Sequence, residues 1–191
     1  MRIKAAFRLY VTDAYVPINQ SVRRSVLPPE NRVLRTCIHG MLEWFLPGQY
    51  RHGPMRQLRA RLVASGYGAH QALLVYRGIR NWDGVFLDHR GIVTDGGFVS
   101  TTLDLETALM FCAGPSSMLL MIHVPWTARV YIPYLVDDHD CIQTSGEAAE
   151  MIFPPTTTFP LIRSGTMEPS RGSRAVRYME CVVRQSSTLR P

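Results

Sequence analysis

The sequence predicts an α+β protein in which a helical first third is followed by a run of β-strands. Apolar residues recur at helical spacing up to Ser65-Gly66. From residue 71 the period changes to short apolar runs separated by Gly, Pro and polar clusters. A hydrophobic content of 46% over 191 residues suffices for a sizeable core. Helices first and strands afterwards place helices beside a mostly antiparallel sheet or two facing sheets. A single domain is expected, with a helical lobe over 1–70, a β core over 71–185 and a polar tail over 186–191.

The elements follow in chain order. Asp13 is a candidate cap for a short helix through Ile18–Arg23, and Pro28-Pro29 breaks the chain after it. Asn31 caps the next helix, whose apolar positions Val33, Leu34, Ile38, Met41, Leu42 and Phe45 stop at Pro47-Gly48. A third helix runs from Met55 to Val63. Strands are then expected at QALLVYRGI (71–79), GGFVST (96–101), SSMLLMIHV (116–124), ARVYI (128–132), AAEMIFP (148–154), TTFPLIR (157–163) and AVRYMECVVR (175–184). A helix, DLETALMF (104–111), follows the second strand with Asp104 as its cap. Tyr134–Glu147 is expected to be a long polar loop. No repeat or low-complexity segment interrupts this order.

Composition narrows the function classes. The 21 basic residues, of which Lys4 is the only lysine, outnumber 15 acids for a net charge of +6. They are spread along the chain, so a nucleic-acid partner is allowed but not indicated. Cys37, Cys112, Cys141 and Cys181 form no C-x-x-C pair and sit beside apolar residues. Buried free thiols are therefore expected, with no structural zinc, no other metal and no required disulfide. The N-terminus lacks the apolar core of a Sec signal, and no apolar stretch approaches membrane-spanning length. A soluble chain without membrane insertion is expected; export without a cleaved signal stays open.

Three polar sites interrupt core strands. Arg77 follows Leu73-Leu74-Val75-Tyr76, where a guanidinium is costly to bury without an anion. Ser100-Thr101-Thr102 ends the second strand, with more hydroxyls than a helix cap needs. Glu150 begins Met151-Ile152-Phe153. Taken singly, Arg77 is a strand-end charge and Glu150 an edge charge that discourages aggregation. Together they describe a site in which a guanidinium holds a diphosphate, hydroxyls orient a carboxylate, and the carboxylate stabilises positive charge on a sugar.

The segments VYRG (75–78), GGFVSTTLDLETALMF (96–111) and AAEMIFPPTTTF (148–159) resemble, in order, the Arg, Ser-Thr-Ser and Glu motifs of the mono-ADP-ribosyltransferases, in particular the bacterial exoenzyme toxins. YVPINQSVRR (15–24) is a weaker match to the Tyr…Ile-Asn-x-x-Leu-Arg helix of that family. The resemblance implies an N-terminal helical lobe followed by a mixed, mostly antiparallel two-sheet β core. It implies that NAD is consumed as a substrate. Arg77 would contact the NAD phosphates and nicotinamide ribose, and the backbone of Gly78 would approach the nicotinamide amide. Ser100 would fix the catalytic Glu150, and Thr101 would support the strand end or a ribose hydroxyl. Phe111 corresponds to an aromatic placed against the nicotinamide, with a core position on the helix as its other reading. Tyr10 and Tyr15 would line the cofactor cleft from the helical lobe.

The resemblance further implies a toxin or effector, exported into a target cell, whose acceptor is a host or competitor macromolecule, protein ahead of nucleic acid. The family's arginine-modifying members carry Glu, and its asparagine- or glutamine-directed ones often Gln, two residues before the catalytic Glu; here Ala148 stands there and Glu147 is one position off. Alanine cannot orient or deprotonate a guanidinium, which implies an acceptor other than a protein arginine. An NAD glycohydrolase and a catalytically silent binding module on the same fold are the alternatives.

Overall fold

The computed structural model describes residues 3–10, 15–24, 31–46, 53–66, 72–80, 85–136, 150–155, 157–169 and 174–185. Helices α1 (Ile3–Leu9), α2 (Tyr15–Arg23), α3 (Arg32–Trp44) and α4 (Gly53–Ala64) precede the strands. The Asn31 side chain accepts from Leu34 N at 2.9 Å, so α3 is capped where its sequence predicts. Buried Leu34, Cys37, Ile38 and Met41 line one face of α3 at three- and four-residue intervals. Asp13, the expected cap of α2, lies outside the described residues.

The strands are β1 (Ala72–Ile79), β2 (Val85–Leu87), β3 (Ile92–Asp95), β4 (Val99–Thr101), β5 (Met118–Pro125), β6 (Met151–Phe153), β7 (Thr157–Met167), β8 (Val176–Val182) and β9 (Arg184–Gln185). Two short helices, α5 (Leu105–Met110) and α6 (Pro133–Val136), lie among them. The main sheet runs β1-β5-β8-β7-β3-β2, with β9 also paired to β7, and is antiparallel except for β5 against β8. Antiparallel β4 and β6 form a small second sheet. The predicted class, a helical lobe followed by a mixed, mostly antiparallel two-sheet β core, is the observed one.

Two cores meet at the small sheet. Val99, Met151 and Phe153 face the core between the sheets, together with Val75, Leu120, Ile122 and Phe159. On the opposite face, Ile152 and the flanking Phe98 join the helical lobe, with Phe7, Tyr10, Ile18, Ile38 and Phe45. Phe7 stacks on Tyr131 with ring centroids 3.6 Å apart, which ties α1 to the β half of the molecule. No helix among the described residues is long and apolar enough to cross a membrane.

Two expectations need correction, and two observed elements go beyond the expected ones. ARVYI forms no strand: Tyr131 alone bridges to Ile152, and the Gln185 amide binds both backbone groups of Arg129 at 2.7 Å, doing the work of a neighbouring strand. The expected loop from Tyr134 is helical up to Val136, in α6, which opens on Pro133 where a missing N–H costs nothing; residues 137–149 lie outside the described residues. The hairpin β2–β3 and the helix α1 were not expected at all. The hairpin's strands are short, and its turn is organised by Asp88, whose Oδ1 accepts from Arg90 N and Ile92 N at 2.9 Å. Cys37, Cys112 and Cys181 are buried free thiols, and burial pushes Cys37 up to about 11 and Cys181 up to about 12. Cys141 lies outside the described residues.

Candidate active site

The two sheets touch where Tyr76 of β1 and Thr102 exchange backbone hydrogen bonds of 2.8 Å in both directions. That contact puts the residue after Tyr76 beside the end of β4, so Arg77 Nη1 reaches Ser100 O at 3.4 Å. In the β4–β6 register Ser100 lies opposite Ile152. Side chains alternate along a strand, so Glu150, two residues before Ile152, emerges on the same face as Ser100. The Ser100 hydroxyl donates to Glu150 Oε1. Arg77, Ser100 and Glu150 are thus brought to one place by three elements.

Asp95, which no motif announces, joins Arg77 to the helix α2. Arg77 Nη2 donates to Asp95 Oδ2 at 2.8 Å, and Arg23 at the end of α2 donates from Nε and Nη2 to both oxygens of the same carboxylate at 2.8 Å. Gly97 N donates to Asp95 Oδ1 at 2.8 Å. The anion that burial of Arg77 demands is therefore part of the chain, and Asp95 is only 3% exposed. Asn19 on α2 accepts from Phe98 N at 2.8 Å and donates to Phe98 O at 3.2 Å, which pins the helical lobe to the strand that carries Ser100. A signal for these contacts was present in Gly96-Gly97. A Cβ on Gly97 would lie 2.7 Å from Asn19 Oδ1, and one on Gly96 would lie 3.4 Å from the Arg23 side chain. The glycine pair marks a close approach of the polar face of α2.

No protein-family model and no curated protein sequence matches the chain. Solved structures do. Plx2a, an ADP-ribosyltransferase toxin from Paenibacillus larvae, superposes with a TM-score of 0.57 at 16% identity, over 96% of this chain and 86% of that one. Exoenzyme S from Pseudomonas aeruginosa, solved with human 14-3-3 protein beta and carba-NAD, gives 0.54 at 18% identity over 93% of this chain and 72% of that one. BECa, an ADP-ribosylating toxin of a C. perfringens binary enterotoxin solved with NADH, gives 0.58 at 12% identity over 96% of this chain and 44% of that one. The chain has the ADP-ribosyltransferase fold.

The remaining candidate residues take definite places in this ADP-ribosyltransferase fold. Thr101 faces the core between the sheets, 3% exposed, and its hydroxyl donates to Met151 O at 3.1 Å. It supports the strand end and is turned away from the face that carries Ser100, so the expected ribose contact has no place. Tyr10 is 2% exposed rather than lining a cleft. Its hydroxyl accepts from Asn19 Nδ2 at 3.0 Å and donates to Phe98 O at 3.3 Å, bracing Asn19. Burial pushes the Tyr10 phenol up to about 12, against the opposing attraction of Arg77. Tyr15 opens α2, and its side chain lies outside the described residues.

Phe111 ends α5 with 54% of its surface exposed, which removes the core reading. It sits directly over Gly78, where a Cβ would meet Phe111 Cβ at 2.8 Å and Ala108 O at 2.0 Å. Glycine at 78 is thus required by α5, a reason independent of any ligand. Asp104 caps α5, accepting from Thr107 N at 2.9 Å, and hydrogen bonds from Thr107 hold its carboxyl below the usual range. The hydroxyl triplet therefore divides its work: Ser100 binds Glu150, Thr101 binds β6, and Thr102 Oγ1 accepts from Asp104 N at 3.1 Å.

Proposed function

We propose that the protein is a mono-ADP-ribosyltransferase, one domain over 1–191, that cleaves NAD and passes ADP-ribose to a macromolecular acceptor. The observation that carries this is the Ser100–Glu150 hydrogen bond beside a guanidinium held in place by its own carboxylate. The fold and the NAD-type ligands of two structural neighbours support the same substrate.

Arg77 binds the diphosphate and nicotinamide ribose. Among the described residues its hydrogen-bond partners are Asp95 and Ser100 O, which occupy two of the five guanidinium donors and leave three for the substrate. Ser100 holds Glu150 in one orientation. As the bond between C1′ and the nicotinamide nitrogen breaks, the electron pair leaves with nicotinamide, and the sugar gains oxocarbenium character that Glu150 stabilises. The acceptor's lone pair then closes on C1′, and its proton passes to solvent. Phe111, exposed at the rim over Gly78, stacks on the nicotinamide, and Tyr15 contributes from α2.

Ala148 at the place of the family's Glu or Gln supports an acceptor other than protein arginine, and a host or competitor protein is the class proposed for a toxin or effector of this kind. The same alanine favours one second reading, an NAD glycohydrolase, because water needs no orienting acid.

The test is incubation of the protein and its Glu150→Gln variant with labelled NAD and cell lysate, following label into protein and nucleic acid alongside free nicotinamide. Label transfer that disappears in the variant is expected. Nicotinamide release without transfer identifies the glycohydrolase, and absence of both in the wild type refutes NAD cleavage.

A further inference from the structure

The basic residues are spread along the chain, but the acidic ones are not. Residues 44–82 hold six arginines and no aspartate or glutamate. The rest of the chain balances at 15 basic against 15 acidic residues, so the net charge of +6 belongs to this stretch. Three of the six arginines, Arg56, Arg59 and Arg61, lie on α4, and all three are exposed.

The helix fixes how they stand. Met55 and Leu58 are buried, and Leu62 packs against the core between the sheets. Arg59 and Arg61 flank that apolar stripe from opposite sides, about 200° apart around the helix axis. Arg56 stands between them on the outward face, with exposed Gln57, Ala60 and Ala64. Positive charge therefore borders the outward face on both sides. Arg59 lies over the ring of Trp126, 5.7 Å from its centroid. Such stacking engages the face of a guanidinium and leaves its N–H edge to meet oxygen acceptors in its own plane.

The chemistry of this face narrows its occupant to one class. Guanidinium edges pair with phosphate oxygens bidentately, as an ammonium does not. A helix that lies in a membrane surface turns Leu, Phe or Trp outwards, whereas the only large apolar residue exposed on α4 is Val63. A protein partner is held chiefly by aromatic anchors seated in pockets, and the outward residues of α4 offer neither. A cationic face without apolar anchors matches a sugar–phosphate backbone, whose charge is regular and whose contacts carry no sequence information.

We propose that α4 is a nucleic-acid docking surface on which Arg56, Arg59 and Arg61 contact backbone phosphates without reading sequence. The surface is separate from the candidate active site. Trp126 follows Pro125, which pairs with Ala72 at the start of β1, whereas Arg77 lies about 17 Å further along that strand. The proposal therefore stands or falls independently of NAD cleavage.

The test is fluorescence anisotropy of a short labelled DNA duplex and of a labelled single-stranded RNA, titrated with the full chain at several salt concentrations. The wild type is expected to bind with a Kd on the order of 10⁻⁵ M at low salt and to weaken steeply as salt rises. Changing Arg56, Arg59 and Arg61 together to Gln should weaken binding at least about tenfold. It should also lower the slope of log affinity against log salt by about 2–3, one phosphate contact for each arginine. A control with Arg32, Arg35 and Arg90 changed to Gln removes the same charge from exposed positions elsewhere and should stay within about twofold of the wild type. Stronger binding of one probe than the other identifies the form of nucleic acid that α4 accepts. Equal weakening in the control attributes binding to overall charge and overturns the proposal. So does a triple α4 variant with wild-type affinity and salt slope, a wild type that binds neither probe, or a wild type that binds phosphatidylserine vesicles and neither nucleic acid. Should loss of the Arg59–Trp126 contact unfold the triple variant, Arg56→Gln with Arg61→Gln decides: a slope lower by about 2 supports the proposal, and an unchanged slope overturns it.

Discussion

Adding one methyl group at Gly78 tests the packing that frames the site. In Gly78→Ala the new Cβ would lie 2.0 Å from Ala108 O and 2.8 Å from Phe111 Cβ. Carbon–oxygen contacts close at about 3.3 Å, so α5 must retreat by more than about 1 Å. Its lever is short. Ala108 is buried against Leu119 and Val176, with Leu105 and Leu109 packed around it, and Ala108 O also accepts from Phe111 N at 3.1 Å. Overpacking of a well-filled site costs about 1–3 kcal/mol. Replacing a strand glycine returns only about 0.5–1 kcal/mol by restricting the unfolded chain. The net effect is a loss of about 1–2 kcal/mol, read as a lower urea midpoint. Faster amide exchange over Leu109–Phe111 should accompany it, because α5 is displaced before the sheet is. Phe111 moves with α5, so NAD affinity should fall in the same variant. An unchanged midpoint together with unchanged exchange would refute the packing argument.

Other outcomes follow from the same contacts. Thr101→Val, which removes the hydroxyl bound to Met151 O, should cost about 1 kcal/mol of stability and leave NAD affinity unchanged; weaker binding at unaltered stability would return Thr101 to the ligand site. The Tyr10 phenol ionises at about 12 in the fold against an ordinary 10.0. Its contribution, about 3 kcal/mol, is therefore present below pH 10.0 and is lost as pH rises towards about 12. Near-ultraviolet phenolate absorbance should rise together with alkaline unfolding, and Tyr10→Phe should shrink that rise and move the unfolding to higher pH. Hydrogen bonds from His123 and then Arg163 hold the Glu180 carboxyl below its ordinary 4.5. The stability it supplies is present above that value and is lost as pH falls through the depressed one, so Glu180→Gln should flatten the acid limb of Tm against pH.

Much of the site was legible because its three motif residues lie in short segments whose neighbours announce them. VYRG, the hydroxyl triplet and Glu150 before Met151-Ile152-Phe153 each interrupt an apolar strand, and β4 and β6 pair in the register that joins Ser100 to Glu150. Asp95 was not legible, because its partners Arg23 and Arg77 are distant in sequence and the strand that ends in it is four residues long. Only the side-chain-free approach at Gly96-Gly97 hinted at the helix packed there. The resemblance brings the Gly78 backbone up to the nicotinamide amide, and the packing of α5 is a second, independent demand for glycine there that the sequence does not announce. ARVYI has strand composition, but Gln185 satisfies its backbone, and local propensity yields to that tertiary bond. Tyr10 illustrates the same limit: an aromatic near a cleft by sequence position is, by burial, a brace for Asn19.

Nicotinamide release from NAD, compared among the wild type, Ser100→Ala and Glu150→Gln at equal NAD saturation, puts the paired hydroxyl and carboxylate under direct trial. Glu150→Gln keeps the shape and removes the charge, so its rate should fall by about 10²–10³. Ser100→Ala leaves the carboxylate but frees its orientation, so its rate should fall about tenfold. The two together should cost little more than Glu150→Gln alone, since Ser100 acts through Glu150. Release at the wild-type rate in Glu150→Gln would contradict the proposed catalytic role of that carboxylate.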